Sequence, residues 1–161
     1  MTYESKKHLP AGKQAKIIQD NSYGLIPFRF REEKLEFLVI HQQKGHWAFP
    51  KGHGEASEDS LQAAEREFEE ETGLKNYQVL EGQKFYEHYN FIENGQTYDK
   101  TVEYYLAEVG EGELEIQDEE LQAAEWLLAN EVLDKLTFPA TKKVFKQALK
   151  HLKSGNHFLE R

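Results

Sequence analysis

Cysteine is absent from the 161-residue chain. That excludes disulfides, thiolate metal sites and cysteine nucleophiles. No apolar run approaches the ~20 residues that a membrane-spanning helix needs. The opening residues, MTYESKKHLPAGKQAK, are polar and lack the apolar centre of a signal peptide, so a cytoplasmic location is expected. Within them AGKQAK lacks the glycine spacing of a P-loop. Basic residues are outnumbered, 20 against 29 acidic, and the net charge is −9. That balance argues against indiscriminate binding to nucleic acid or an anionic membrane. It leaves room for a small polyanion whose contacts are bridged by metal ions. Internal repeats and low-complexity segments are also missing.

The rest of the composition belongs to a globular protein. Hydrophobic residues make up 39% and aromatic residues 12%, enough for one core in a chain of this length. We expect residues 1–20 to be a polar arm, either loose or an edge strand. Residues 21–161 then form a single domain, expected as a monomer.

Two segments, 22–30 and 35–42, are rich in β-branched, leucine and aromatic residues and flank the polar turn REEK, which predicts a hairpin or two neighbouring strands. Glycines and Pro50 make 45–57 a loop. A helix is expected over 58–73, with Ser57 as its N-cap, Gly73 as its stop and Leu61, Ala64 and Phe68 as its buried stripe. Long strands are expected at 78–92 and 98–109, joined at Asn94-Gly95. The segment TVEYYLAEV is apolar on both faces, as a central strand would be. Short strands near 112–117 and 123–128 and helices near 129–136 and 140–153 complete the chain. This order predicts an α/β fold, a mixed sheet packed between helices. The last helix should bury Val144, Ala148 and Leu152 and leave Lys142, Lys146, Lys150 and Lys153 in solvent.

The helix over 58–73 ends in REFEEETG. A helix C-terminus already carries partial negative charge, so carboxylates are disfavoured there. Glu67 and Glu71 lie one turn apart beside the buried stripe, with Glu70 on their flank. Arg66 reaches Glu70 at i+4, which leaves Glu67 and Glu71 without a local cation. A divalent cation would resolve the deficit, since magnesium favours a few carboxylate oxygens and keeps positions for water and phosphate. On the helix alone, a charged solvent face explains the same residues.

The surrounding spacing favours the metal. Gly52, Glu58, Arg66, Glu67, Phe68, Glu70, Glu71, Gly73 and Leu74 stand in GHGEASEDSLQAAEREFEEETGL at the spacing of the Nudix box, and the chain resembles the Nudix hydrolase family. The departures are Phe68, where the family has a smaller aliphatic, and Ala56-Ser57, where it has Pro-Gly. The resemblance implies the α/β/α Nudix fold and Mg2+, with Mn2+ as a substitute, bound by Glu67, Glu70, Glu71 and the Gly52 carbonyl. Arg66 would orient a carboxylate, and Glu58 would be structural or an outer ligand.

Flanking residues carry a narrower resemblance. GHWAFPKGH (45–53) and KTVEYYLAEV (100–109) are similar to the animal and archaeal asymmetrical bis(5'-nucleosyl)-tetraphosphatases, which cleave diadenosine tetraphosphate to ATP and AMP. By that resemblance His46, Lys51 and Lys100 contact the phosphate chain, and Phe91 and Phe138 clamp an adenine. Glu120 is the late carboxylate that binds metal or acts as base. The bland alternatives are a loop histidine, solvated lysines, core phenylalanines and a surface acidic cluster at Asp118-Glu119-Glu120. His53 and His88 have no metal-binding spacing and receive no role. The expected substrate is a small dinucleoside polyphosphate, with no membrane or stable nucleic-acid partner. Two alternatives remain: another Nudix specificity (RNA 5'-pyrophosphate, ADP-ribose or diphosphoinositol phosphate) and a non-catalytic nucleotide sensor.

Overall fold

The computed structural model describes residues 16–116, 119 and 121–155. Strand β1 (Ile17–Arg31) turns back into β2 (Lys34–Gln42) through Glu32 and Glu33, both at positive φ. Short β3 (Trp47–Ala48) and β4 (Lys51–Gly52) follow, then helix α1 (Ser60–Thr72). After it come β5 (Tyr77–Val79), β6 (Phe85–Glu93), β7 (Gln96–Val109) and β8 (Leu121–Leu128). Helices α2 (Ala129–Lys135) and α3 (Pro139–Ser154) close the described chain. No helix among the described residues is long and apolar enough to cross a membrane.

The sheet is mixed. β1 pairs antiparallel with β2 and parallel with β7, from Ile17 opposite Thr97 to Phe28 opposite Glu108. β7 is therefore central, as its two apolar faces predict. One core cluster lies between the sheet and α2 and α3, and includes Phe28, Phe37, Phe49, Val144, Phe145, Ala148 and Leu152. The other lies under α1 and includes Leu25, Leu38, Ala64, Phe68 and Tyr105. Lys146, Lys150 and Lys153 are exposed on α3, while Lys142 is half-buried.

Residues 17–20 run in β1 beside Thr97–Lys100 of β7, with no second strand on their other side among the described residues; residues 1–15 lie outside the described residues. Three expectations need correction. The strand expected over 78–92 is two. Gly82, at φ 90°, turns the chain, so that β5 pairs along 107–109 and β6 along 96–104 of the same strand β7. Residues 112–116 form no strand. The Glu115 N–H instead donates to the Thr72 carbonyl at 2.8 Å, satisfying the end of α1. The cap of α1 is Asp59, not Ser57: its side chain accepts the Gln62 N–H while Gln62 accepts the Asp59 N–H, a reciprocal capping box. Gly73 ends α1 in the left-handed conformation as expected.

Candidate active site

The box loop approaches the sheet where a side chain would block it. β4 pairs with β1, placing Lys51 opposite Gly24 and Gly52 opposite Tyr23. A Cβ on Gly24 would stand 2.3 Å from the Pro50 carbonyl oxygen. A Cβ on Gly52 would stand 2.1 Å from Glu67 Cδ. Glycine is thus required twice, so that the backbone at 50–52 can pass β1 and meet α1.

Arg66 organises the carboxylates. Its Nε and Nη2 donate to the two Glu58 oxygens at 2.6 and 3.0 Å, and Nη2 also donates to the His53 carbonyl at 2.9 Å. Nη1 reaches Glu67 Oε2 at 3.2 Å and Glu70 Oε1 at 3.1 Å. Such charge-assisted pairs are the strong ones. They hold the Arg66 guanidinium above its ordinary value, and they hold the Glu58 carboxyl below its own. The expectation that Glu67 lacks a local cation is therefore corrected: one guanidinium is shared among three glutamates. Glu71 has a different partner. It is buried and accepts the Lys51 backbone N–H at 3.0 Å. Glu67 and Glu71 thus both meet the dipeptide Lys51-Gly52.

Among the described residues, no three histidine, aspartate or glutamate side chains gather closely enough to hold a metal by themselves. Glu70 is half exposed and turned to Arg66. The donors that do converge are the Glu67 and Glu71 carboxylates and the Gly52 backbone. The Glu67 carboxylate lies directly against the Gly52 backbone, and mixed carboxylate and carbonyl oxygens are the donors that a hard cation takes. Glu120 lies outside the described residues.

A cleft of about 660 Å³ begins at Lys51 and is lined further by His46, Glu87, Tyr89, Phe91, Phe138 and Thr141. Four of the binding residues expected from sequence, His46, Lys51, Phe91 and Phe138, therefore share one cavity. Lys100 does not line it. Parallel pairing sets Asp20 opposite Lys100, whose buried ammonium donates to Ser22 Oγ at 2.6 Å and Asp20 Oδ2 at 3.2 Å. Burial, then the nearby Lys51 charge, lowers its pKa below the lysine range. Asp20 in turn meets His53 Nε2 at 2.7 Å. Burial pushes the Asp20 carboxyl up, but the His53 and Lys100 contacts outweigh it and leave it below its ordinary value.

The rings are arranged differently from the expected pair. Phe91 stacks on Tyr98, centroids 4.8 Å apart and planes 8° apart. The ring parallel to Phe138 is Tyr89, at 6.4 Å and 17°, and His46 packs on Phe138 at 4.7 Å. Burial raises the Tyr89 phenol to about 12. Sequence reasoning missed Tyr89 and Glu87. The signal was available: residues 85, 87, 89 and 91 are buried or half-buried while 86, 88, 90 and 92 are exposed, so Phe91 shares its face with both.

Comparison with known proteins identifies the family. The asymmetrical bis(5'-nucleosyl)-tetraphosphatase of Rattus norvegicus is 34% identical over 145 residues, covering 84% of this chain and 92% of that protein. The protein of the same name from Sus scrofa is 35% identical over the same coverage. A crystal structure of a C. elegans Ap4A hydrolase binary complex shares the fold at a TM-score of 0.74 and 24% identity, covering 84% of this chain and 99% of that one. The NUDIX domain family matches residues 21–148, and with the box glutamates on α1 facing Lys51 and Gly52 of β4, the chain belongs to that family as a Nudix hydrolase.

Proposed function

We propose that the protein hydrolyses a phosphoanhydride bond of dinucleoside polyphosphates, diadenosine tetraphosphate to ATP and AMP. The observation that carries this reading is the single cleft joining Lys51, beside the box glutamates, to the ring wall of Tyr89 and Phe138. Its two ends suit the two ends of a nucleotide. The names of the relatives point the same way.

Glu67, Glu71 and the Gly52 carbonyl would hold Mg2+ or Mn2+. Glu70 and Glu120 join that set through the family pattern. A bound divalent cation neutralises phosphate oxygens and lowers the pKa of a water. Lys51 and His46 bind the phosphate chain from the cleft wall. Lys100 contributes indirectly, by fixing Asp20 and the charge balance around Lys51. Arg66 keeps Glu67 and Glu70 from rotating into solvent, so that the acidic groups are positioned before substrate arrives. A carboxylate of this cluster accepts the proton of the attacking water. The oxygen of water bonds to phosphorus, and the bridging P–O bond on its far side breaks. Tyr89 and Phe138 stack an adenine.

The test is incubation with Mg2+ and a panel of nucleotides, with products resolved by chromatography. ATP plus AMP from diadenosine tetraphosphate is the expected result. Two ADP molecules, or tight binding without turnover, would overturn the reading.

A further inference from the structure

His53 has no part in the mechanism above, yet it is held from two sides. Its ring Nε2 meets Asp20 Oδ1 at 2.7 Å, and its carbonyl accepts from Arg66 Nη2 at 2.9 Å. Asp20 is itself anchored. Its Oδ2 accepts from the Lys100 ammonium at 3.2 Å, and that buried ammonium also donates to Ser22 Oγ at 2.6 Å. One carboxylate of β1 therefore ties the box loop to a cation on β7.

The tie falls where strand pairing ends. β4 pairs with β1 at Lys51 and Gly52, and His53 is the next residue. The Gly52 carbonyl and the His53 N–H belong to one planar peptide unit, so a contact that fixes His53 also fixes that plane. Glycine restricts its own backbone least, which leaves the direction of its carbonyl to its neighbours. On the other side of Gly52, the Lys51 N–H is held by Glu71.

We propose that Asp20 is a positioning residue that, by bonding His53, sets the peptide plane of the Gly52 carbonyl for the divalent cation. It acts through His53 and not as a ligand. The inference rests on the reading of the Gly52 carbonyl as a metal ligand. The rival explanation is that Asp20 only neutralises Lys100, and that its contact with His53, whose side chain is 70% exposed, is incidental. An ion pair so exposed contributes little stability by itself. The two explanations therefore differ in metal affinity and not in folding.

The experiment is a double-mutant cycle with His53→Ala, Asp20→Ala and the double variant, read as affinity for Mn2+ by electron paramagnetic resonance without nucleotide. Because the His53 ring is exposed, His53→Ala should keep its thermal midpoint within about 3 °C of the parent's. It should weaken Mn2+ binding about fivefold, less than the loss of a ligand's own hydrogen-bond partner would, because Glu71 still holds the loop at Lys51. Asp20→Ala should weaken binding at least as much, and adding His53→Ala to it should change Kd by less than about 1.5-fold. Parental Mn2+ affinity in His53→Ala, or a full second loss in the double variant, overturns the proposal. A parent that binds no Mn2+ overturns the metal reading of the box, and this inference with it. Asp20→Ala leaves the Lys100 ammonium buried without its carboxylate and is the variant at risk of not folding. In that event Asp20→Ala with Lys100→Met, which removes the buried charge together with its partner, takes its place in the cycle. His53→Ala should again add less than about 1.5-fold there, and a full second loss overturns the proposal.

Discussion

The backbone N–H of Lys51 donates to Glu71 Oε1 at 3.0 Å, across 20 residues of chain. This bond fixes where the box helix meets the box loop. It makes one carboxylate both a structural acceptor and a candidate metal ligand, next to the glycine against which Glu67 lies.

Glu71→Gln retains an acceptor for the Lys51 N–H and loses the charge. It should fold with a parental thermal midpoint and lose about 100-fold or more in kcat. Steady-state rates equal to the parent's would remove Glu71 from the mechanism. Glu71→Ala leaves that N–H unpaired and should cost a further ~1–3 kcal/mol of stability in denaturant titrations.

Gly52→Ala introduces the Cβ that would stand 2.1 Å from Glu67 Cδ. Either β4 or the Glu67 side chain must move. We expect a stability loss of about 1–3 kcal/mol, weaker Mg2+ binding by calorimetry and little residual turnover. Unchanged Mg2+ affinity would show that Gly52 and Glu67 do not share a cation.

Asp59→Ala removes the reciprocal cap and should cost about 1 kcal/mol. Ser57→Ala should stay within about 0.5 kcal/mol. The reverse order in chemical denaturation would restore Ser57 as the cap.

Burial holds the Glu87 carboxyl above its ordinary 4.5, with Lys51 and Lys100 opposing that shift and Tyr104 and Tyr89 packed around it. The folded state then binds more protons than the unfolded chain above that value. The contribution of Glu87 is fully present below 4.5 and is lost as pH rises through the raised folded pKa. Glu87→Gln should flatten that part of the stability curve and raise the midpoint at pH 7. Parallel curves for parent and variant would contradict the assignment.

Tyr89→Ala and Phe138→Ala should each lower kcat/KM for diadenosine tetraphosphate by about tenfold, the scale of one lost base stack. Phe91→Ala should do less, because its ring already stacks on Tyr98. Equal losses at Phe91 and Phe138, with none at Tyr89, would restore the pair expected from sequence.

How much was legible follows from the range of the forces. The acidic helix, its glycine stop, the Asn94-Gly95 hairpin and the central strand are local patterns, written in 3.6- or two-residue periods and in turn chemistry. The spacing from Gly52 to Leu74 identified the family because that motif is one contiguous loop and helix. The helix cap was misplaced by two residues because Ser57 and Asp59 both have a capping oxygen, and only the turn geometry chooses between them.

The sequence by itself determined most of the element types, the box and its carboxylates, and four of the residues along the cleft, His46, Lys51, Phe91 and Phe138. Tertiary structure alone decided that Lys100 turns inward to Asp20, that Tyr89 and not Phe91 parallels Phe138, and that Glu71 is buried on the Lys51 N–H. The reason is physical. These contacts depend on the register of β1 against β7 and on how closely β4 approaches α1, distances set by packing across the whole sheet and carried by no local pattern.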